Sequence, residues 1–242
     1  MTSATTGSAP RVGWVVDAQV DFMRPDGRLY VRDLQDPSDP GAERAVPALV
    51  RAVEWLRDRG AVVVFTGDWH GPEDEEIDPV SPDPARGTYP PHCMGRSADP
   101  TERAGAEVIE EIRPRDPLVL PVDAGPEDAR RIAAEAVRQR RPVFIQKTRF
   151  DVFAGNPATE ALLAALEDEL GARPELVVAG VARDVCVTQA VDGMLARGYP
   201  VTVLEDATWG LGLEPAEATL RRWKAAGGRV TTVKELDALA SA

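Results

Sequence analysis

The chain has 242 residues, 28% of them charged and 43% hydrophobic, and a formal net charge of −12. That length fits one α/β domain able to bury its apolar surface without covalent staples. The acidic balance argues against nucleic-acid partners, which call for a basic patch, and equally against an anionic membrane surface. Two cysteines, Cys93 and Cys186, make no disulfide framework and suit a reduced protein. The opening MTSATTGSAPR lacks the basic start and apolar stretch of a secretory signal. No run approaches the ~20 apolar residues that a membrane helix needs. The expectation is a cytoplasmic protein.

Residues 1–10 are small and polar and read as a frayed tail ahead of a domain over 11–242. RVGWVVD (11–17) is the first predicted strand: short, Val-rich and nearly continuous, as a strand covered on both faces should be. A helix follows over 41–60, with Val46, Leu49, Val50, Val53 and Leu56 at helical spacings and Gly60 as its stop. AVVVFTG (61–67) is the second strand and runs into Asp68-Trp69-His70. Residues 71–100, with Pro72, Pro79, Pro82, Pro84, Pro90 and Pro91, form a long loop, of the kind that is usually functional in compact domains. Its acidic run PEDEEIDP (72–79) reads as a solvated face rather than a binding site.

Residues 114–142 hold another apolar run, PLVLPV, and an Ala/Arg/Glu-rich helix, and resemble an insertion. RPVFIQK (141–147) and ELVVAGV (175–181) are strands, separated by a helix that starts beyond Asn156-Pro157 and ends on Gly171. A helix ending on Gly198, a fifth strand over 199–206 and a helix over 214–228 complete the pattern. Alternating strands and helices require parallel pairing, because a crossover helix returns the chain in the same direction. The expected fold is α/β: a single domain with a doubly wound, mostly parallel sheet and helices on both faces. Ligands bind such sheets beyond the carboxyl ends of the strands.

Those ends carry the chemistry. The first strand delivers Asp17, the second Asp68 and His70, and the third Lys147, while the fourth runs through Val181-Ala182 toward Cys186. Cys186 lies near the start of a helix opening around Asp184. There the dipole lowers a thiol pKa, and backbone N–H groups can hold an oxyanion. Asp17 is placed to take the thiol proton and Lys147 to hold the thiolate charge. Spacing alone leaves a second reading open, in which Asp17 and Lys147 form a buried ion pair and Cys186 is a small buried hydrophobe. Asp68 and His70 point to one side of their strand end and Trp69 to the other. His92, the other of the two histidines, lies on the adjoining loop and completes an Asp/His/His set for a divalent cation with positions open to water or substrate.

Taken together, VDAQVDF (16–22), GDWH (67–70), YPPHC (89–93), the Lys147 segment and GVARDVCV (180–187) resemble the isochorismatase-like cysteine hydrolases, and within them most the nicotinamidases. The resemblance covers roughly residues 11–113 and 143–208. It implies Asp17, Lys147 and Cys186 as a catalytic triad, and Asp68, His70 and His92 as ligands of zinc or another divalent ion. It also implies a cis peptide at Val181-Ala182, with the N–H groups of Ala182 and Cys186 as oxyanion hole, and Phe22 and Tyr89 as aromatic walls around a pyridine ring. The implied reaction is hydrolysis of nicotinamide to nicotinate and ammonia through a thioester, with no nucleic-acid or membrane partner. Family members often assemble, so a homo-oligomer stays open.

Two departures qualify the substrate. Tyr89 stands where nicotinamidases usually carry Trp, and KTRFDVFAGNP (147–157) looks more like other branches. Another small amide, a carbamoyl compound or a lactam is therefore the alternative. Isochorismate cleavage typically does without the catalytic cysteine, so Cys186 counts against it. A non-catalytic binding domain would make the Asp17/Lys147/Cys186 set a coincidence. Cys93 is expected to be dispensable.

Overall fold

Among the described residues, 9–239 of the computed structural model, seven strands form one sheet. They are β1 (Arg11–Val16), β2 (Val62–Asp68), β3 (Leu118–Leu120), β4 (Val143–Lys147), β5 (Glu175–Val181), β6 (Val201–Trp209) and β7 (Arg229–Thr231). Their order is β3-β4-β2-β1-β5-β6-β7, and every neighbouring pair is parallel. The helices are α1 (Val20–Met23), α2 (Val46–Asp58), α3 (Pro100–Gly105), α4 (Pro126–Gln139), α5 (Val152–Gly155), α6 (Thr159–Leu170), α7 (Cys186–Ala196), α8 (Ala216–Ala225) and α9 (Leu236–Leu239). None is long and apolar enough to cross a membrane.

The expected single-domain, doubly wound sheet is present, and the five predicted strands fall within a few residues of their expected bounds. Period-2 alternation sends successive strand residues to opposite layers. Val12, Trp14 and Val16 of β1 join Val62, Val64, Leu176 and Val178 against α4, α6 and α7. Val15, Val63, Phe65, Val177 and Ala179 face α2 and the 108–112 segment. Both faces are covered, so the strands carry unbroken apolar runs rather than alternation.

The two strands not foreseen, β3 and β7, are three-residue edge strands. Residues 114–142 supply β3 and α4, and α4 packs against the sheet in one core with α6. Of the expected tail, residues 1–8 lie outside the described residues. Pro10 is already tied down, since its carbonyl accepts the Glu175 N–H at 2.8 Å. The helix expected to open around Asp184 begins at Cys186, which puts the thiol on its first residue.

Candidate active site

Parallel strands end on the same edge, so Asp17, Asp68 and Lys147 arrive together, each fully buried. The Lys147 Nζ lies 2.9 Å from Asp17 Oδ2, is bonded to Asp68 Oδ1, and donates to the Arg149 carbonyl at 3.1 Å. Thr66 Oγ1 donates to the other oxygen of Asp17 at 2.6 Å. Burial alone would discharge Lys147, yet the two carboxylates outweigh it and hold its ammonium well above the usual lysine range. Asp17 is raised by burial, against the opposing pull of Lys147. Asp68 goes the other way: burial pushes it up, but Lys147 and the two histidines bring it well below the ordinary carboxylate range. One cation shared by two carboxylates thus leaves them shifted in opposite directions, Asp68 down and Asp17 up.

Cys186 is 5% exposed, and its sulfur lies within 4.8 Å of carboxylate oxygens of both Asp17 and Asp68. Burial pushes the thiol well up, Lys147 opposing and the aspartates adding. The close approach of β1 to β5 here depends on Gly180, at φ 120°, where a Cβ would stand 2.0 Å from the Val16 carbonyl oxygen. The next peptide but one, Val181–Ala182, is cis. The Ala182 carbonyl accepts from the N–H groups of Val185 and Val187 at 3.1 and 3.0 Å, folding the turn that leads into α7.

Beside this trio, His70 and His92 are both fully buried, and their Nε2 atoms lie 3.9 and 3.8 Å from Asp68 Oδ2. All three atoms are buried and lack a hydrogen-bond partner. An uncompensated buried polar atom is costly, and three converging within 4.8 Å fit a divalent cation. The far ring nitrogens are engaged, His70 Nδ1 with Asp74 Oδ2 at 3.2 Å and His92 Nδ1 with the Pro90 carbonyl at 2.8 Å. That leaves each Nε2 lone pair facing inward. His92→Ala is expected to lower bound divalent metal measured by elemental analysis, and an unchanged stoichiometry would remove His92 from the site.

The apolar wall beside the thiol contains the expected Phe22 and Tyr89. It also contains Phe150, Ala182, Val185 and Leu211, with Leu29 and Val31 behind, and none of these carries a charge. Tyr89 and Phe150 meet edge to face, centroids 5.0 Å apart. Sequence reasoning did not single out Phe150, three residues beyond Lys147.

It also gave no role to Gln19 or Asp21, although both sit inside VDAQVDF. The Gln19 amide accepts the Asp68 N–H and donates to the Asp68 and Ala106 carbonyls, all at 2.8 Å. Asp21 accepts the Cys93 N–H at 2.7 Å and so holds the residue after His92. Cys93 itself is fully buried, its sulfur 3.8 Å from the Gly105 carbonyl and outside the apolar wall.

The acidic run is a solvated face only in part, with Glu73 and Glu75 exposed and Asp74 and Glu76 half-buried. Asp74 binds His70 and Arg96, and Glu75 pairs with Arg149. Glu76 accepts the Phe150 N–H at 3.2 Å, and burial, reinforced by Asp68, pushes its carboxyl up to about 7.

An isochorismatase domain matches residues 14–235. The nicotinamidase of Escherichia coli K12 is 25% identical, over 93% of this chain and 96% of its own. The zinc complex of the Pyrococcus horikoshii pyrazinamidase superposes with a TM-score of 0.62 at 24% identity, covering 92% of this chain and 98% of that one. The N-carbamoylsarcosine amidase of Thermoplasma acidophilum gives 0.61 at 24%, covering 93% and 96%. With the sheet order, the strand-end residues and a domain match over most of its length, the chain belongs to the isochorismatase family and is a hydrolase of that family.

Proposed function

We propose that this enzyme is a metal-assisted cysteine amidohydrolase acting on a carbon–nitrogen bond, with nicotinamide as its substrate. The observation that carries the reading is the buried Cys186 thiol within 4.8 Å of the Asp17 and Asp68 carboxylates, with Lys147 Nζ 2.9 Å from Asp17. Asp17 takes the thiol proton, and the thiolate sulfur attacks the carboxamide carbon. The N–H groups of Ala182 and Cys186 hold the resulting oxyanion. Collapse breaks the carbon–nitrogen bond, and the leaving nitrogen takes the proton back from Asp17 as ammonia. Asp17 then deprotonates a water that cleaves the thioester, releasing nicotinate and regenerating Cys186. Lys147 keeps the charge of the two carboxylates from repelling the thiolate.

Asp68, His70 and His92 hold the divalent cation, with zinc as the first choice. When bound, the cation supplies a positive anchor for a substrate lone pair, a positioning contribution. The uncharged wall of Phe22, Tyr89, Phe150 and Leu211 suits a flat, neutral ring. The second reading, another small amide, carbamoyl compound or lactam, draws on Tyr89, which adds a hydroxyl to that wall.

The test is ammonia release from nicotinamide by the zinc-loaded protein. Steady release supports the proposal. None from nicotinamide, with release from another small amide, keeps the cysteine hydrolase and discards the pyridine.

A further inference from the structure

Asp74 comes from the acidic run yet exposes only 15% of its side chain. Its Oδ2 accepts the Gly71 N–H at 3.0 Å and lies 3.2 Å from His70 Nδ1. Arg96 Nη2 grips both carboxylate oxygens. Arg96 is itself pinned to the strand end. Its Nε donates to the Trp69 carbonyl and its backbone N–H to the His70 carbonyl, both at 2.9 Å. Gly71 makes room for this packing, since a Cβ there would stand 3.3 Å from Arg96 Cζ.

A carboxylate that receives a guanidinium and a backbone N–H is ionised and can only accept. His70 Nδ1 therefore donates to Asp74, which leaves Nε2 as the ring atom turned to the space shared with Asp68 and His92. Asp74, in turn, has both oxygens committed to Arg96, so it cannot swing in as a rival ligand.

We propose that Asp74, locked by Arg96, is a positioning residue that fixes the tautomer and orientation of His70 and tightens the site for a divalent cation. The inference rests on the reading of Asp68, His70 and His92 as metal ligands. Carboxylates behind a metal-bound imidazole orient the ring and raise its basicity, and their loss typically weakens metal binding about 10- to 100-fold. Arg96 acts one step further out, and its loss should cost less, because the carboxylate remains.

The experiment uses the full chain stripped of metal and titrated with zinc against a chelating dye, for the parent, Asp74→Asn, Asp74→Ala and Arg96→Gln. Asp74→Asn keeps the size and an acceptor but drops the charge, so it carries the test if Asp74→Ala does not fold. Expected is a zinc affinity lowered about 10-fold or more for Asp74→Asn, and by a smaller factor for Arg96→Gln. The visible absorption bands of the cobalt-loaded Asp74→Asn protein should shift relative to the parent, a readout that a merely structural role would leave alone. Parent-like zinc affinity and cobalt bands in Asp74→Asn, with the parent binding zinc normally, would overturn the role of Asp74 and leave the metal site standing. A parent that binds no zinc would instead overturn the metal site itself.

Discussion

Cys186→Ala is expected to abolish ammonia release from nicotinamide while leaving the fold and the zinc content unchanged. The residue opens α7 and lies behind Val181–Ala182, with its side chain between the Asp17 carboxylate and the apolar wall. Removing one sulfur atom deletes the attacking group without uncovering a charge. Loss of a nucleophile that works as a unit with its base costs on the order of 10⁴-fold or more in turnover. The assay is single-substrate ammonia production, run beside thermal unfolding and elemental zinc analysis. Turnover within tenfold of the parent, in a folded and zinc-loaded variant, would remove Cys186 from the chemistry and leave the metal as the remaining source of activity.

Lys147→Met should have the largest effect on stability of any single change at the site. The ammonium is fully buried and is the cation that Asp17 and Asp68 share. Without it, two buried carboxylates face each other with no compensating charge. Breaking a buried ion pair by removing one partner costs about 3–5 kcal/mol, and urea unfolding of the metal-free chain reads that directly. Stripping the metal matters, because a bound cation would partly replace the lost charge and mask the effect. A loss below about 1 kcal/mol, the scale of a surface ion pair, would mean that water or protonation of Asp17 already satisfies the trio. Activity should fall with stability, since Asp17 loses the neighbour that opposes its raised pKa.

The strand-end residues were legible because a parallel sheet leaves little choice. Once Asp17, Asp68 and Lys147 are read as the last residues of apolar runs, the fold sends them to one edge, whatever the register. His92 was legible through scarcity, being one of two histidines in the chain. What was not legible depends on partners distant in sequence. The run 72–79 is acidic by composition, and only Arg96 and the Phe150 N–H draw Asp74 and Glu76 inward, while Glu75 pairs with Arg149 at the surface. Gln19 had no role that its local sequence could show. Its three bonds require the Asp68 and Ala106 backbones, neither of which a local pattern predicts. The edge strand β7, three residues after Gly227-Gly228, carries too few residues to show any period.

The position of β1 sets the order in which a growing chain can assemble this enzyme. β1 lies at the centre of the sheet, pairing on one side with β2 and on the other with β5, from Arg11 opposite Glu175 to Val16 opposite Gly180. During synthesis its second edge therefore waits for a partner more than half the chain away. At ribosomal rates of about 5–20 residues per second that wait is roughly ten to thirty seconds. Over this interval Val12, Trp14 and Val16 stand in a half-built sheet with an open hydrogen-bonding edge, a template for wrong pairing. The strand that finally closes the edge also leads straight into the turn bearing Cys186. Covering the second edge of β1 and delivering the thiol are thus a single event, and a nascent chain stalled before residue 175 would carry Asp17 and the Asp68, His70 and His92 cluster without the sulfur that sits beside Asp17 and Asp68.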